Sequence, residues 1–532
     1  MKLLKLSDNA LFLQNWRERL RPSFLISAVV LCVIVIILII TNASVQESYI
    51  YDYSHRLSSD TLNYPNRILT PPLKIIILNL AKLQGSILLL LGTFNAYRMA
   101  SREYLSGTLD FHRASPTPRI DQILGLLFGS TSLEWCLYFA ISFLILSISV
   151  FAQVPVLSLI QFTISVTLTG LFYHSIAVLL GMTANPKASK TGIIQIFLVL
   201  YFMSSFMIAN GLSFSYHLSW LPAYEQLSDT IKGIVYEYYY ENSYAKTMDT
   251  LRYSFFGYQI SSLGFQIFCQ IPLILIVLSG VGRKISSQER PVLSKRVSLA
   301  AIFFILFMYF GSACSHILYG DYSGTYIITS GIWLIIITGV IGAMIATPSH
   351  LSFVRGLRRC QKFGKTSFDP SGDESGHSVW LILYCLLATF IYWLYLDLFQ
   401  IQLLKSLPGL LILLSYPVFF AALYEYCKLT THRHKKVFFI TTLLILWILV
   451  PAFGLMIKGI SAASSFAEFL IAFSPVMGGL TPVINIYSSY PQLSFREVEL
   501  FVSNFMALIA LLMAHRQRRR IVEQVKKEYT KK

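Results

Sequence analysis

The sequence predicts an all-α polytopic membrane protein, with about twelve transmembrane helices in two six-helix halves. Three observations lead there. The 532 residues are 55% hydrophobic and only 13% charged, whereas soluble domains carry about 25% charged residues. The apolar residues gather in runs close to the roughly 20 that a helix needs to cross a bilayer. Finally, 33 of the 43 Lys and Arg residues fall in alternate segments between those runs, the pattern of segments held on the cytoplasmic side. Both termini are then cytoplasmic, and a multi-pass protein of the plasma (inner) membrane is expected.

Residues 1–22 are expected to form a cytoplasmic amphipathic interfacial helix. Phe12, Leu13, Trp16 and Leu20 can share one helical side, while Arg17, Arg19 and Arg21 can snorkel toward phosphates. The apolar run begins only near Ser23 and is too long for a signal core, so no cleavable signal is expected. Residues 23–285 form the first six-span half. Its spans are Ser23–Thr41, Ile76–Tyr97, Ser132–Phe151, Val156–Met182, Gly192–Leu212 and Ile260–Val281. Between the last two, Ser213–Gln259 is expected to be an outer loop. Its tyrosine-rich Val235–Tyr244 suits the membrane–water interface or an extracellular gate.

A basic cytoplasmic connector, residues 286–297, leads to a second six-span half, residues 298–514. Its spans are Ser298–Ser315, Tyr326–Ala346, Ser378–Leu396, Pro408–Tyr426, Val437–Ile457 and Glu499–Met513. Residues 515–532 are expected to be a basic cytoplasmic tail. The halves agree in hydropathy and loop length, as transporter repeats do. They show no residue-level repeat, so an unrelated second half is the alternative.

The most informative segment lies between the second and third spans: SREYLSGTLDFHRASPTPRIDQILGLLFG, Ser101–Gly129. It is short, polar and held between two apolar runs. Gly107 is expected to break or tighten the helix and allow close backbone approach. Thr108 is suited to N-cap a short new helix, with Leu109 and Phe111 as apolar contacts. Pro116 and Pro118 end it, and Arg119–Ile123 restart a helix. The same signals also fit an ordinary loop between two spans.

The order Arg102-Glu103, Gly107-Thr108-Leu109-Asp110, Pro116, Ile123-Leu124-Gly125 resembles the loop between the second and third spans of type-2 ATP-binding-cassette (ABC-2) exporter permeases. The string NALFLQNWRERLRP, Asn9–Pro22, is similar to the start of many such permeases. The resemblance covers about residues 1–290. It implies a cytoplasmic coupling helix that docks on a separate ATPase subunit, with Arg102, Glu103, Gly107, Thr108, Leu109, Asp110 and Pro116 as the coupling residues. The lysine usual in the family's "GK" element is Leu126 here. A permease dimer is a further arrangement the resemblance allows.

The inner segment of the second half, Thr347–His377, lacks that pattern. On a helix its Phe353, Leu357 and Cys360 share one side, while Arg355, Arg358, Arg359 and Lys362 share the other. It reads equally as a second coupling element or as an interfacial helix. Lys82, Glu134 and Glu425 are charges inside or beside spans, where a functional role competes with snorkelling.

The net charge of +17 is accounted for by inner loops beside anionic membrane lipids, so no nucleic acid is expected. The seven cysteines show no disulfide framework. Cys427, His432 and His434 invite a metal, but their basic neighbours argue against one, and no metal or cofactor is expected. The chain lacks the G-x-x-x-x-G-K-[ST] string, so it is not expected to hydrolyse ATP itself. The expected function is the membrane permease subunit of an ABC-type exporter, moving a lipid-like, peptide or drug-like cargo. A proton-driven twelve-span carrier is the main alternative, followed by a polytopic enzyme acting on lipid-linked substrates.

Overall fold

The computed structural model describes residues 10–57, 71–114, 117–183, 213–239, 252–287, 290–318, 324–363, 372–376, 378–398, 403–430, 435–450, 452–453, 456–457, 470 and 493–530. The chain divides into two compact units. The first comprises Met1–Ile208, Phe214–Ser254 and Tyr258–Ser286; the second comprises Ala209–Ser213, Phe255–Gly257 and Ser287–Lys532.

Unit 1 begins with α1 (Ala10–Arg19) and α2 (Pro22–Leu57). Next come α3 (Pro71–Ser86), a π-helical turn at Ile87–Gly92, and α4 (Thr93–Ser106). These three pieces are continuous, because both flanks of the π turn keep right-handed helical dihedrals. The turn shifts the hydrogen-bond register: the Thr93 amide bonds Leu90 O. His174 Nε2, in a later span, lies 3.0 Å from Leu88 O, so that carbonyl is held from outside the helix.

Short α5 (Thr108–Ala114) and α6 (Arg119–Ser130) follow, then α7 (Ser132–Ala152) and α8 (Val156–Gly181). The α7–α8 turn is tight. Gln153 adopts the left-handed conformation at φ 52°, and Pro155 stands just ahead of α8, a position where a missing amide costs nothing. The unit closes with α9 (Leu221–Tyr239), strands β1 (Arg252–Phe255) and β2 (Tyr258–Ser261), and α10 (Ser262–Ser286), except that Phe255–Gly257 at the hairpin turn count in unit 2. The two-stranded hairpin is an exception to the expected all-α architecture.

One core of unit 1 gathers Ile77, Leu80, Leu88, Tyr138, Phe162 and Val166. A second gathers Ala96, Ala100, Leu109, Leu126, Val178 and Val281. Between helices in lipid, close packing rather than water exclusion supplies the attraction. The α4–α8 crossing shows how close: a Cβ on Gly181 would sit 2.7 Å from Tyr97 O and 2.9 Å from Ser101 N. Only glycine fits there.

The expected outer loop Ser213–Gln259 is not simply a loop. A 3-10 turn, Ser213–Leu218, precedes α9, and Trp220, Ala223, Leu227 and Ile231 are buried in the first core. A single apolar stripe between polar residues is enough to bury a helix, but too sparse to register as a span. Below α9, Gln266 and Gln270 on α10 are buried. Each Nε2 lies 3.1 Å from Thr169 Oγ1 and 3.0 Å from a loop carbonyl, Ser219 O and His217 O respectively. Burial holds the neighbouring His217 down to about 3, so its imidazole is neutral. Val235–Tyr239 ends α9; residues 240–244 of the tyrosine stretch lie outside the described residues.

Unit 2 contains α11 (Lys295–Leu318), α12 (Gly324–Ala346), α13 (His350–Lys362), α14 (Ser378–Leu398), α15 (Leu403–Leu429) and α16 (Lys435–Leu444). A π-helical turn, Ile445–Leu449, and α17 (Leu493–Thr530) complete it. Its core centres on Leu306, Ile335, Trp380 and Tyr384. The Trp380 and Tyr384 rings stack with centroids 5.2 Å apart, and the Tyr384 hydroxyl donates to Ile335 O at 2.5 Å. The expected basic tail is not separate: α17 runs unbroken from the last apolar stretch through residue 530.

By length and composition, seven described helices can cross a membrane, or eight if the bent pair α12–α13 counts as one span. Leu25–Thr41, Trp380–Ile391 and Val437–Leu449 are shorter apolar helices. The chain is therefore a mostly helical, multi-pass membrane protein. The expected span Gly192–Leu212 lies outside the described residues.

Candidate functional site

The α4–α5 elbow in unit 1 is built around Gly107. Helix α4 stops where Gly107 takes φ 78°, a left-handed conformation that glycine adopts without a Cβ penalty. Space is not the reason for the glycine: nothing lies within 4 Å of a Cβ built there. This corrects the expectation of close backbone approach. The chain then turns directly into α5, with the Asp110 amide donating to Gly107 O at 2.9 Å.

Side chains close the elbow. The Thr108 hydroxyl turns back to the buried Glu103, bonding its carboxylate and, at 3.1 Å, its carbonyl. Its hydroxyl proton therefore serves the end of α4, rather than Thr108 simply capping α5 as expected. Ser106 Oγ lies 2.8 Å from Thr108 Oγ1. Leu109 is almost fully buried, among Ala100, Leu126, Val178, Met182 and Ile285. Leu126, at the family's lysine position, is also buried there, which leaves no room for a charged head.

The outer surface of the elbow differs. Arg102 and Asp110 are exposed, and so is Leu105, at 45%; Arg119 and Ile120, at the start of α6, are exposed as well. Arg102 Nη1 reaches Glu18 Oε1 on α1 at 2.7 Å. Both partners are partly open to solvent, so this contact is worth about 0.2–1 kcal/mol at most. Pro116 lies outside the described residues.

Helix α1 packs along α6. Trp16 is half-buried against Phe12, with ring centroids 5.3 Å apart, and Arg17 and Arg21 are exposed. Arg19 departs from the expected snorkelling role. Its guanidinium pairs with Glu134 at the start of α7, and Asn95 Nδ2 on α4 donates to the same carboxylate oxygen at 2.5 Å. The side chain of Glu134 is only 4% exposed, so it is a buried partner rather than a snorkelling acid. Through Arg102 and Arg19, α1 is tied to both α4 and α7.

The inner segment of unit 2 is arranged otherwise. A break at Thr347–Ser349 bends α13 by 58° from α12, because Pro348 cannot donate and restricts the residue before it. Ser349 Oγ caps α13 by accepting from the Ser352 amide at 3.2 Å. The apolar side, Phe353 and Leu357, is buried against Leu429, Ile521 and Val525. It therefore faces α15 and α17 of its own unit. Arg355, Arg358 and Arg359 are exposed; Arg358 reaches Glu528 Oε2 at 2.9 Å, and Arg359 pairs with Glu374.

Two polar clusters of unit 2 carry no motif. Lys295 Nζ is buried among Gly372 O, Ser375 O and Gly376 O, at 3.2, 3.0 and 3.1 Å, and also bonds the Ser375 hydroxyl. Glu425 is 1% exposed, with Arg518 Nε at 3.5 Å; snorkelling does not describe it. Lys82 is exposed, with its ammonium 5.5 Å from the centre of the Tyr224 ring. Cys427 is buried, and His432 and His434 lie outside the described residues. Among the described residues, no three metal-ligating side chains converge.

Comparison with protein-family models, curated proteins and solved structures returns no match. The likeness to ABC-2 permeases therefore rests on the residues quoted above.

Proposed function

We propose that this chain is the membrane permease subunit of an ABC-type exporter, driven by ATP that a separate ATPase subunit hydrolyses. The observation that carries the reading is the elbow. Its inner side is tied down, through the Glu103–Thr108 bonds and the buried Leu109, while Leu105, Arg102 and Asp110 of the same elbow are exposed. A push on α5 would reach α4 through Thr108, and α8 and α10 through Leu109. The cargo class is lipid-like, peptide or drug-like. The topology proposed is twelve spans with both termini cytoplasmic, in the plasma (inner) membrane.

The purified chain alone is expected to show no ATP hydrolysis, and an ATP-binding-cassette subunit co-purified with it is expected to supply that activity. Measurable hydrolysis by the isolated, contaminant-free chain would sink the reading. A proton-driven carrier would instead transport without any nucleotide and stop on addition of an uncoupler.

Orientation has its own test, drawn from the Lys and Arg distribution. Asp229 on α9 and Arg290, ahead of α11, are both exposed. In intact cells, Asp229→Cys is expected to react with a membrane-impermeant thiol reagent and Arg290→Cys to stay unlabelled. Equal labelling of the two would refute the proposed topology.

A further inference from the structure

The unbroken course of α17 fixes where its arginines stand. The last apolar residue of its hydrophobic stretch is Ala514. At 1.5 Å per residue, Arg516 lies about 3 Å beyond it, and Arg520 about 9 Å. That interval matches the lipid headgroup layer and is near one Debye length, about 8 Å at physiological salt. In HRQRRR, His515–Arg520, Arg518 turns toward the buried Glu425. Arg516, Arg519 and Arg520 are exposed and meet no hydrogen-bonding or ion-pair partner among the described residues.

The support beneath them is firm. Ile521 and Val525 bury against Phe353, Leu357 and Leu429. That contact keeps α17 helical beyond the apolar stretch, where a free basic tail would fray. It also sets α13, with Arg355 and Lys362 exposed on it, beside the same helix. Several cations thus stand at one end of unit 2 on two helices that a shared apolar core holds together.

We propose that Arg516, Arg519 and Arg520 form a binding surface for anionic phospholipid headgroups, flanked by Arg355 and Lys362 of α13. The height of the arginines favours a lipid over an acidic protein. They follow the membrane stretch within two helical turns, and a bilayer surface reaches them without any further chain. Each cation near an anionic surface contributes about a five-fold preference, which salt weakens.

The test uses the full chain in nanodiscs of phosphatidylcholine, doped with photoactivatable phosphatidylglycerol or matched photoactivatable phosphatidylcholine. Adducts on residues 514–530 are expected to favour phosphatidylglycerol by about five-fold or more. R516Q/R519Q/R520Q is expected to bring the ratio close to one, and R516K/R519K/R520K to keep it. Arg518 is left intact because of its inward contact with Glu425. A glutamine variant with undiminished preference would overturn the proposal. A lysine variant that lost the preference as fully as the glutamine variant would overturn it too, by tying the effect to something other than charge.

Discussion

Gly107→Pro is expected to abolish coupled transport while the chain still inserts in the membrane. Proline holds φ near −65°, whereas the elbow needs +78°. It also pushes the preceding residue out of the helical region, and here that residue is Ser106, the last of α4. The final turn of α4 would loosen, carrying Glu103 away from Thr108, and Leu109 would lose its place in the core. The apolar spans that direct insertion are untouched. Gly107→Ala separates conformation from bulk. Nothing crowds its methyl group, so its cost is the left-handed backbone alone, about 1–2 kcal/mol, and a partial loss is expected. Transport in proteoliposomes with the ATPase subunit, at matched protein levels, checks both. Near-normal rates for Gly107→Pro would mean that the segment merely connects two spans.

The second large effect is expected at Glu134. Glu134→Ala would leave the Arg19 guanidinium half-enclosed without a counter-charge, and Asn95 without its acceptor. Removing one partner of a buried ion pair costs about 3–5 kcal/mol. The expected outcome is a lower thermal midpoint in detergent and faster tryptic cleavage at Arg17 and Arg19, as α1 comes away from α6 and α7. Replacing both partners, Arg19→Met with Glu134→Leu, removes the stranded charge and is expected to recover most of the lost stability. If the double variant were as unstable as Glu134→Ala, the cost would lie in packing rather than in charge.

The sequence announced the elements that depend on composition over many residues. Runs such as Ser132–Phe151 and Val156–Met182 were legible because crossing a bilayer demands about 20 apolar residues in a row. The stop at Gly107 was legible too, although its cause was not: a positive φ and a tight contact both call for glycine, and only coordinates tell them apart. Helix α9 was hidden because one buried stripe inside a polar stretch looks like loop sequence. The Arg19–Glu134 contact spans 115 positions, and no local pattern marks two residues that far apart as neighbours. Glu425 misled for a related reason. A carboxylate near a span end looks like a snorkelling group until the helix carrying Arg518 is seen to continue past it.

The π turn at Ile87–Gly92 acts as a phase setter for everything that follows it. A π turn accommodates one residue more than an α turn, and each residue of an α-helix adds about 100° of rotation. Relaxing the turn to α geometry with every residue kept would rotate α4 by about that angle relative to α3. Ala96 and Ala100, which now face α8, would point elsewhere, and bulkier neighbours would meet the Gly181 crossing. The aim of the elbow is thus set some twenty residues before the elbow itself. Its direction is a property of helical registry, carried along the span as the angle of a key is carried along its shaft.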